Sequence, residues 1–145
     1  MVLIASPEAV WRCWSEVDLF KQWFCPKPAV VDDARIDPRP GGEFFSRMRT
    51  PNGKIVETSG CFLAASPARM LAYTDALAPG FHPRQSGFLT TVILLSADAV
   101  GTRYVARALH ATPEQKRLHE DMGFHDGWGR SIKQLGELAR QVERD

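Results

Sequence analysis

The feature that most constrains this chain is a change in the spacing of its apolar residues. Between residues 29 and 110, apolar and polar residues alternate with a period of two, which is typical of half-buried β-strands. The segments on either side repeat at helical spacing instead. Turns rich in glycine and proline divide the alternating region into six predicted strands, at residues 29–37, 43–50, 54–66, 70–77, 88–97 and 102–111.

Two short helices are predicted before these strands, after a short first strand at residues 2–5. The first helix spans residues 6–16, because Ser6 is a suitable N-cap and Pro7 suits the first helical position. A second short helix spans residues 18–24 and ends at the sequence CPKP, since proline cannot continue the hydrogen-bond ladder.

One long helix is predicted after the strands, over residues 112–145, with Thr112 as its cap. Its apolar residues form one stripe, which consists of Phe124, Trp128, Ile132, Leu135, Ala139 and Val142. The order of elements predicts an α+β fold of one domain, residues 1–145. A curved antiparallel sheet of about six strands is covered on one face by the C-terminal helix.

Composition excludes several classes of protein. The net charge is +1 with both signs interspersed, so we expect no nucleic acid partner. The longest apolar runs, such as residues 92–95, are too short to cross a membrane, and the N-terminus lacks the basic region of a signal peptide. Three widely spaced cysteines, Cys13, Cys25 and Cys61, indicate free thiols that are at least half buried and a cytoplasmic protein.

Five stretches of the chain carry a resemblance to a known family. They are SPEAVWRCWSEVDLFKQWFCP, PGGEFFSRMRTPNGK, GCFLAASPARMLAYT, GTRYV and MGFHDGWGRSIKQLGELA. In this order they resemble the SRPBCC (START/Bet v-like) superfamily, and within it the branch of homologues of the heat-shock protein 90 ATPase activator. The resemblance covers nearly the whole chain and implies the helix-grip fold, in which the sheet wraps around the C-terminal helix and leaves a hollow between them. Family members usually carry a longer first strand.

The resemblance gives a function to residues that would otherwise be counted as core. The expected lining of the hollow consists of Phe44, Met48, Phe62, Tyr73, Met122, His125 and Trp128. Aromatic residues and methionine adapt to apolar ligands, and the Tyr73 hydroxyl can orient one.

The C-terminal helix also contains Gly123, Gly127 and Gly129, although glycine costs about 0.5–1 kcal/mol relative to alanine inside a helix. We expect these glycines to leave volume for a ligand. The alternative is that they permit tight packing of the helix on the sheet.

Catalytic and metal-binding motifs are absent from the sequence, so we expect no metal and no cofactor. His82, His110 and His119 lack the H-x-x-H or H-x-x-x-H spacing of a metal site. Asp121 and His125 could form an acid/base pair one helical turn apart, although a polar helix end is the simpler interpretation. The facing directions of the strand residues Glu57 and Arg107 remain open.

The predicted function is therefore the binding of an apolar or amphipathic small molecule, without catalysis. Two alternatives remain: an enzyme of the polyketide cyclase or hydrolase type that uses the same hollow, and a stress-response protein that interacts with a chaperone. We expect neither nucleic acid nor membrane as a partner. A homodimer is a further expectation, because sheet edges and apolar loop residues such as Phe81 and Phe88 favour pairing.

Overall fold

Seven antiparallel strands form the main sheet in the described part of the chain. The computed structural model describes residues 1–85, 87–121 and 123–145, apart from the side chains of Phe124 and His125. The strands are β1 (Val2–Leu3), β2 (Val30–Ile36), β3 (Glu43–Arg49), β4 (Ile55–Ser66), β5 (Met70–Thr74), β8 (Thr90–Asp98) and β9 (Gly101–Leu109). Their order across the sheet is β1-β9-β8-β5-β4-β3-β2, and β6 (Leu77–Ala78) and β7 (His82–Pro83) form a separate small hairpin.

The predicted α+β, helix-grip fold class is confirmed, and the first helix lies where the sequence places it, whereas the second ends earlier than predicted. The helices are α1 (Pro7–Ser15), α2 (Val17–Phe20), α3 (Pro113–Asp121) and α4 (Phe124–Arg144). The Ser6 hydroxyl accepts a hydrogen bond from the backbone N–H of Ala9 at 3.2 Å, so Ser6 is the N-cap of α1 as predicted. No helix in the described ranges is both long and apolar enough to cross a membrane.

The prediction of one continuous helix over residues 112–145 is wrong. The chain forms α3, leaves the helical conformation, and starts α4 after Gly123, whose φ is +85°. This left-handed conformation cannot continue a right-handed helix, and glycine adopts it without a steric penalty. The break matters because α3 contains no buried residue, whereas α4 contributes directly to the core.

The predicted apolar stripe of α4 packs into the hydrophobic core, where α1 is a close neighbour of the helix. Ile132, Leu135 and Ala139 are buried, and Trp128 and Val142 pack against the core at either end. Phe124 was also predicted on this stripe, but its side chain lies outside the described part of the structure.

Trp14 lies at the centre of an aromatic cluster between α1, α4 and the sheet. Its ring is fully buried, and its centroid lies 4.9 Å from that of Trp23, 6.0 Å from Tyr73 and 6.3 Å from Trp128. The indole N–H of Trp14 donates to the hydroxyl of Tyr104 at 3.2 Å, so the cluster is also hydrogen-bonded to β9. Burial raises the pKa of the Tyr104 hydroxyl well above its usual value, which keeps this group protonated.

Cys13, Cys25 and Cys61 are free and buried, as the sequence predicts. Burial raises the pKa of the Cys13 thiol to about 12, and it raises the pKa of Cys25 as well. The neutral thiol is the form that a buried, largely apolar site favours, so neither group is a reactive thiolate at neutral pH.

Leu135 and Leu118 provide a matched test of the packing of α4. Leu135 is 0% exposed and Leu118, on α3, is 55% exposed. We expect Leu135→Ala to lower the free energy of unfolding by about 2–5 kcal/mol, and Leu118→Ala to change it by less than about 0.5 kcal/mol. Urea unfolding followed by circular dichroism measures both. Equal losses would contradict the assignment of α4 as the core helix.

The raised pKa of Cys13 predicts how stability changes at alkaline pH. Above about pH 8.5 the unfolded chain ionises this thiol, whereas the folded chain retains the proton up to about pH 12. Stability should therefore fall as the pH rises through this window, because the unfolded state binds fewer protons. In a denaturation series over this range, Cys13→Ala should show a smaller fall. An identical fall in the two proteins would refute the prediction.

Candidate ligand-binding site

A cleft of about 720 Å³ lies between the sheet and the two C-terminal helices. One wall consists of side chains from the concave face of the sheet, and the other of the first turns of α4. Residues of α3 close one end. The cleft is partly open, and the aromatic cluster around Trp14 fills the space next to it.

The sheet wall is built across three neighbouring strands. Tyr73 of β5 pairs with Thr91 of β8, which pairs with Ala108 of β9, so all three residues lie on one face. The Tyr73 ring stacks on Phe44 with centroids 3.9 Å apart and planes 9° apart. Burial raises the pKa of the Tyr73 hydroxyl well above its usual value, and the neighbouring Thr91 side chain offsets this only in part. Tyr73 therefore remains protonated at the back of the cleft.

The helix wall consists of Trp128 with a glycine on either side. A Cβ atom added to Gly127 would have Pro26 Cγ, at 3.8 Å, as its nearest neighbour, and one added to Gly129 or Gly123 would meet nothing within 4 Å. Close approach to the sheet therefore does not explain these glycines. Gly123 is explained by its left-handed conformation, and the other two leave open space beside Trp128.

A pair of histidines forms the polar end of the cleft. Nε2 of His110, after β9, lies 2.8 Å from Nδ1 of His119 on α3. Phe88 packs edge-on against both rings, with centroids 5.5 Å and 5.1 Å away. Lys116 and Glu120 of α3 line the same end, so polar and charged groups are concentrated there.

The structure separates the predicted lining residues into three groups. Met48, Tyr73 and Trp128 line the cleft. Phe44 and Phe62 are fully buried behind it and support the Tyr73 ring. Met122 and the side chain of His125 lie outside the described part of the structure. The predicted Asp121–His125 pair includes that side chain and therefore lies outside it too.

The facing directions that the sequence left open follow from the strand register. Glu57 pairs with Arg47, on the opposite face of β3 from Phe44 and Met48. Arg107 alternates with Ala106 and Ala108 on β9, so its side chain points away from the concave face, although the residue contributes to the rim of the cleft. Neither residue belongs to the floor of the cleft.

Sequence reasoning missed the histidine pair. His110 and His119 are nine residues apart in the sequence, which is not the spacing of a metal-binding motif, so the sequence did not indicate a pair. They meet because β9 ends and α3 begins within a few residues, which turns the chain back on itself. In the described part of the chain, no group of three or more His, Cys, Asp or Glu residues could hold a metal ion.

A seven-stranded antiparallel sheet with a helix along its concave face defines a helix-grip protein. The family model of Activator of Hsp90 ATPase homolog 1-like protein matches residues 4–140. The chain therefore belongs to the Activator of Hsp90 ATPase homolog 1-like family, in the branch that the sequence motifs indicated.

Solved structures share this fold. Protein NE0264 from Nitrosomonas europaea is 44% identical, with a TM-score of 0.95 over 100% of this chain and 94% of that one. An AHSA1 protein from Silicibacter pomeroyi shares the fold at 20% identity, with a TM-score of 0.72 over 97% of this chain and 95% of that one. A Rhodobacter sphaeroides protein has the same fold at 17% identity, with a TM-score of 0.83 over 99% of this chain and 90% of that one. No curated protein matches the sequence.

Replacing the helix glycines tests whether the space beside Trp128 is open. We expect Gly129→Ala and Gly127→Ala each to raise the free energy of unfolding by up to about 0.5–1 kcal/mol, because alanine is the better helix former. Gly123→Ala should lower it by about 1–2 kcal/mol, because the left-handed conformation is strained for alanine. Thermal and urea unfolding measure these changes. Destabilisation by Gly129→Ala would show that this glycine is required for packing.

Proposed function

We propose that this protein binds an apolar or amphipathic small molecule in the cleft between the sheet and α4. The observation that carries the proposal is the combination of volume and lining. A volume of about 720 Å³ lies inside the range of about 300–1,000 Å³ that is usual for small-molecule sites. Family membership adds the fold, but a fold alone does not define a ligand.

The floor of the cleft favours an apolar body. Phe24, Trp128 and Ile132 line it together with Met48 and one face of the Tyr73 ring. Rigid aromatic faces provide large contact areas at a small cost in conformational entropy, and methionine adapts to irregular shapes. Ala106 and Ala108 on the sheet wall have small side chains, which leaves space for a ligand in the cleft.

The polar groups of the cleft favour an amphipathic ligand over a purely apolar one. They lie at two places, the Tyr73 hydroxyl at the back and the histidine pair with Lys116 and Glu120 at the end. A few polar groups in an apolar cleft fix the orientation of a ligand. The ligand should therefore place its apolar part along Trp128 and its polar group towards α3.

A chaperone partner is the second candidate, and one surface supports it. Ile4 and Val100 are exposed at a smaller depression that Arg140, Glu143 and Arg144 also line. An apolar patch with a charged rim is suited to protein contact. The family description refers to activation of the Hsp90 ATPase, which is a property of the protein that gave the family its name.

Assembly and location remain proposals. Of the two loop residues expected to favour a homodimer, Phe81 is 47% exposed, whereas Phe88 packs against the histidine pair. A homodimer therefore rests mainly on Phe81 and the free edge of β2. Three free, buried cysteines support a cytoplasmic location, where thiols stay reduced.

Filling the cleft tests the proposed function directly. Ala106→Trp places a large ring on the sheet wall, and Ala99→Trp adds the same ring in the β8–β9 turn, away from the cleft. Native mass spectrometry of freshly purified protein should show a bound compound in the parent protein and in Ala99→Trp. Ala106→Trp should lack it.

The opposing result is equally clear. The proposal fails if the parent protein carries no bound compound and an apolar fluorescent probe binds all three proteins equally. Circular dichroism must show that Ala106→Trp is folded, so that loss of the compound reports on the cleft.

A further inference from the structure

We propose that the ligand of the cleft carries a neutral carbonyl oxygen, as in a ketone, an aldehyde or an ester, which accepts a hydrogen bond from the hydroxyl of Tyr104. This inference rests on the proposed function, since it names the class of ligand for the same cleft. It adds a second polar point to the ligand, at the buried wall and apart from the group that faces α3.

The buried wall of the cleft contains hydroxyl groups. Four residues with hydroxyl side chains line the cleft and are at most 5% exposed: Tyr73, Thr91, Tyr104 and Ser131. Hydroxyls are costly to bury in apolar surroundings unless they form hydrogen bonds, so a ligand that provides a partner is favoured here. The charged side chains that line the described part of the cleft belong instead to the end of β9 and to α3.

The hydroxyl of Tyr104 has a proton left to donate. Its oxygen accepts a hydrogen bond from the indole N–H of Trp14 at 3.2 Å. A phenol has one O–H donor besides its acceptor lone pairs, and the described residues provide no acceptor for this proton. A buried donor without an acceptor costs free energy, and a ligand oxygen in the cleft would remove that cost.

Tyr73 places a second neutral phenol beside the same indole. Its ring centroid lies 6.0 Å from that of Trp14, and its stacking on Phe44 holds the ring in place. Burial raises the pKa of both tyrosine hydroxyls, so both keep their protons at neutral pH. The buried wall therefore consists of neutral groups that donate hydrogen bonds.

These donors define the chemical class of the ligand group. A hydroxyl that donates needs an acceptor, which excludes ammonium and other groups that only donate. A carboxylate would bring a charge to a wall where none of the buried, described residues is a cation, and this is unfavourable. A carbonyl oxygen accepts hydrogen bonds, carries no formal charge and has no proton that would need a further partner.

Three naphthalene compounds of similar size test the proposal. 2-Acetylnaphthalene has the carbonyl oxygen, 2-isopropenylnaphthalene has a CH₂ group in its place, and 2-naphthoate has a carboxylate. Titration followed by tryptophan fluorescence measures their affinities, because Trp128 lines the cleft. The ketone should bind the parent protein about 3–10-fold more tightly than the hydrocarbon, which corresponds to one neutral hydrogen bond. It should also bind more tightly than the carboxylate.

Two variants that each lack one hydroxyl show whether Tyr104 is the donor. Tyr104→Phe should abolish the preference for the ketone and change the affinity for the hydrocarbon by less than about twofold. Ser46→Ala is the matched control and should keep the preference. The Ser46 hydroxyl is also buried and has no partner among the described residues, but it does not line the cleft.

Tyr104→Phe removes the acceptor of the Trp14 N–H, so circular dichroism must show that it is folded. Isotope-edited infrared spectroscopy of the ketone bound to the parent protein needs no variant. The carbonyl stretching band should lie at a lower wavenumber than in hexane, because a hydrogen bond weakens the C=O bond.

The proposal is overturned if the hydrocarbon or the carboxylate binds the parent protein as tightly as the ketone, or if the carbonyl band of the bound ketone matches that in hexane. A folded Tyr104→Phe that keeps the full preference overturns it as well. These results would leave small-molecule binding intact, whereas a failure of all three compounds to bind would contradict the proposed function itself.

Discussion

The burial of Trp14 is the constraint on which the rest of the structure depends. A curved sheet and a straight helix cannot touch along their whole length, and a wedge of space remains at one side. Trp14 fills this wedge with Phe20, Trp23 and Phe24, whose rings surround it. Its indole N–H needs a partner in that apolar setting and finds it in Tyr104. α1, α2 and the sheet are thus held at fixed positions, and α4 packs against the surface that they form.

The cleft exists because this filling stops partway along α4. Beyond Ile132, towards the start of the helix, several residues that line the space are small: Gly127 and Gly129 on the helix, and Ala106 and Ala108 on the sheet. Larger side chains at these four positions would close the gap and add buried apolar area, which would stabilise the fold. Trp128 bridges the two regions, because it contacts the cluster around Trp14 and also forms the wall of the cleft.

The fold could be predicted from the sequence because two periodicities mark its elements clearly. The strand alternation and the stripe of α4 both follow from residues that are buried in the structure, such as Phe44 and Leu135. The break at Gly123 could not be predicted, since a glycine within a helical pattern does not reveal its φ. The lining of the cleft was harder to predict than the fold. Phe62 and Met48 are both large apolar residues in strands, and only the position of the helix decides that Phe62 belongs to the core and Met48 lines the cleft.

The break at Gly123 links the fold to the chemistry of the polar end. A continuous helix from residue 112 would carry His119 along the axis of α4, in line with the helix and away from the end of β9. The left-handed residue lets α3 change direction, and His119 then meets His110. Glycine therefore acts at two places. Gly127 and Gly129 leave space beside Trp128, and Gly123 allows the turn after which His119 meets His110 at the end of the cleft. An apolar floor and a hydrogen-bonded pair of histidines therefore both follow from one irregular helix, and they belong to the same cleft.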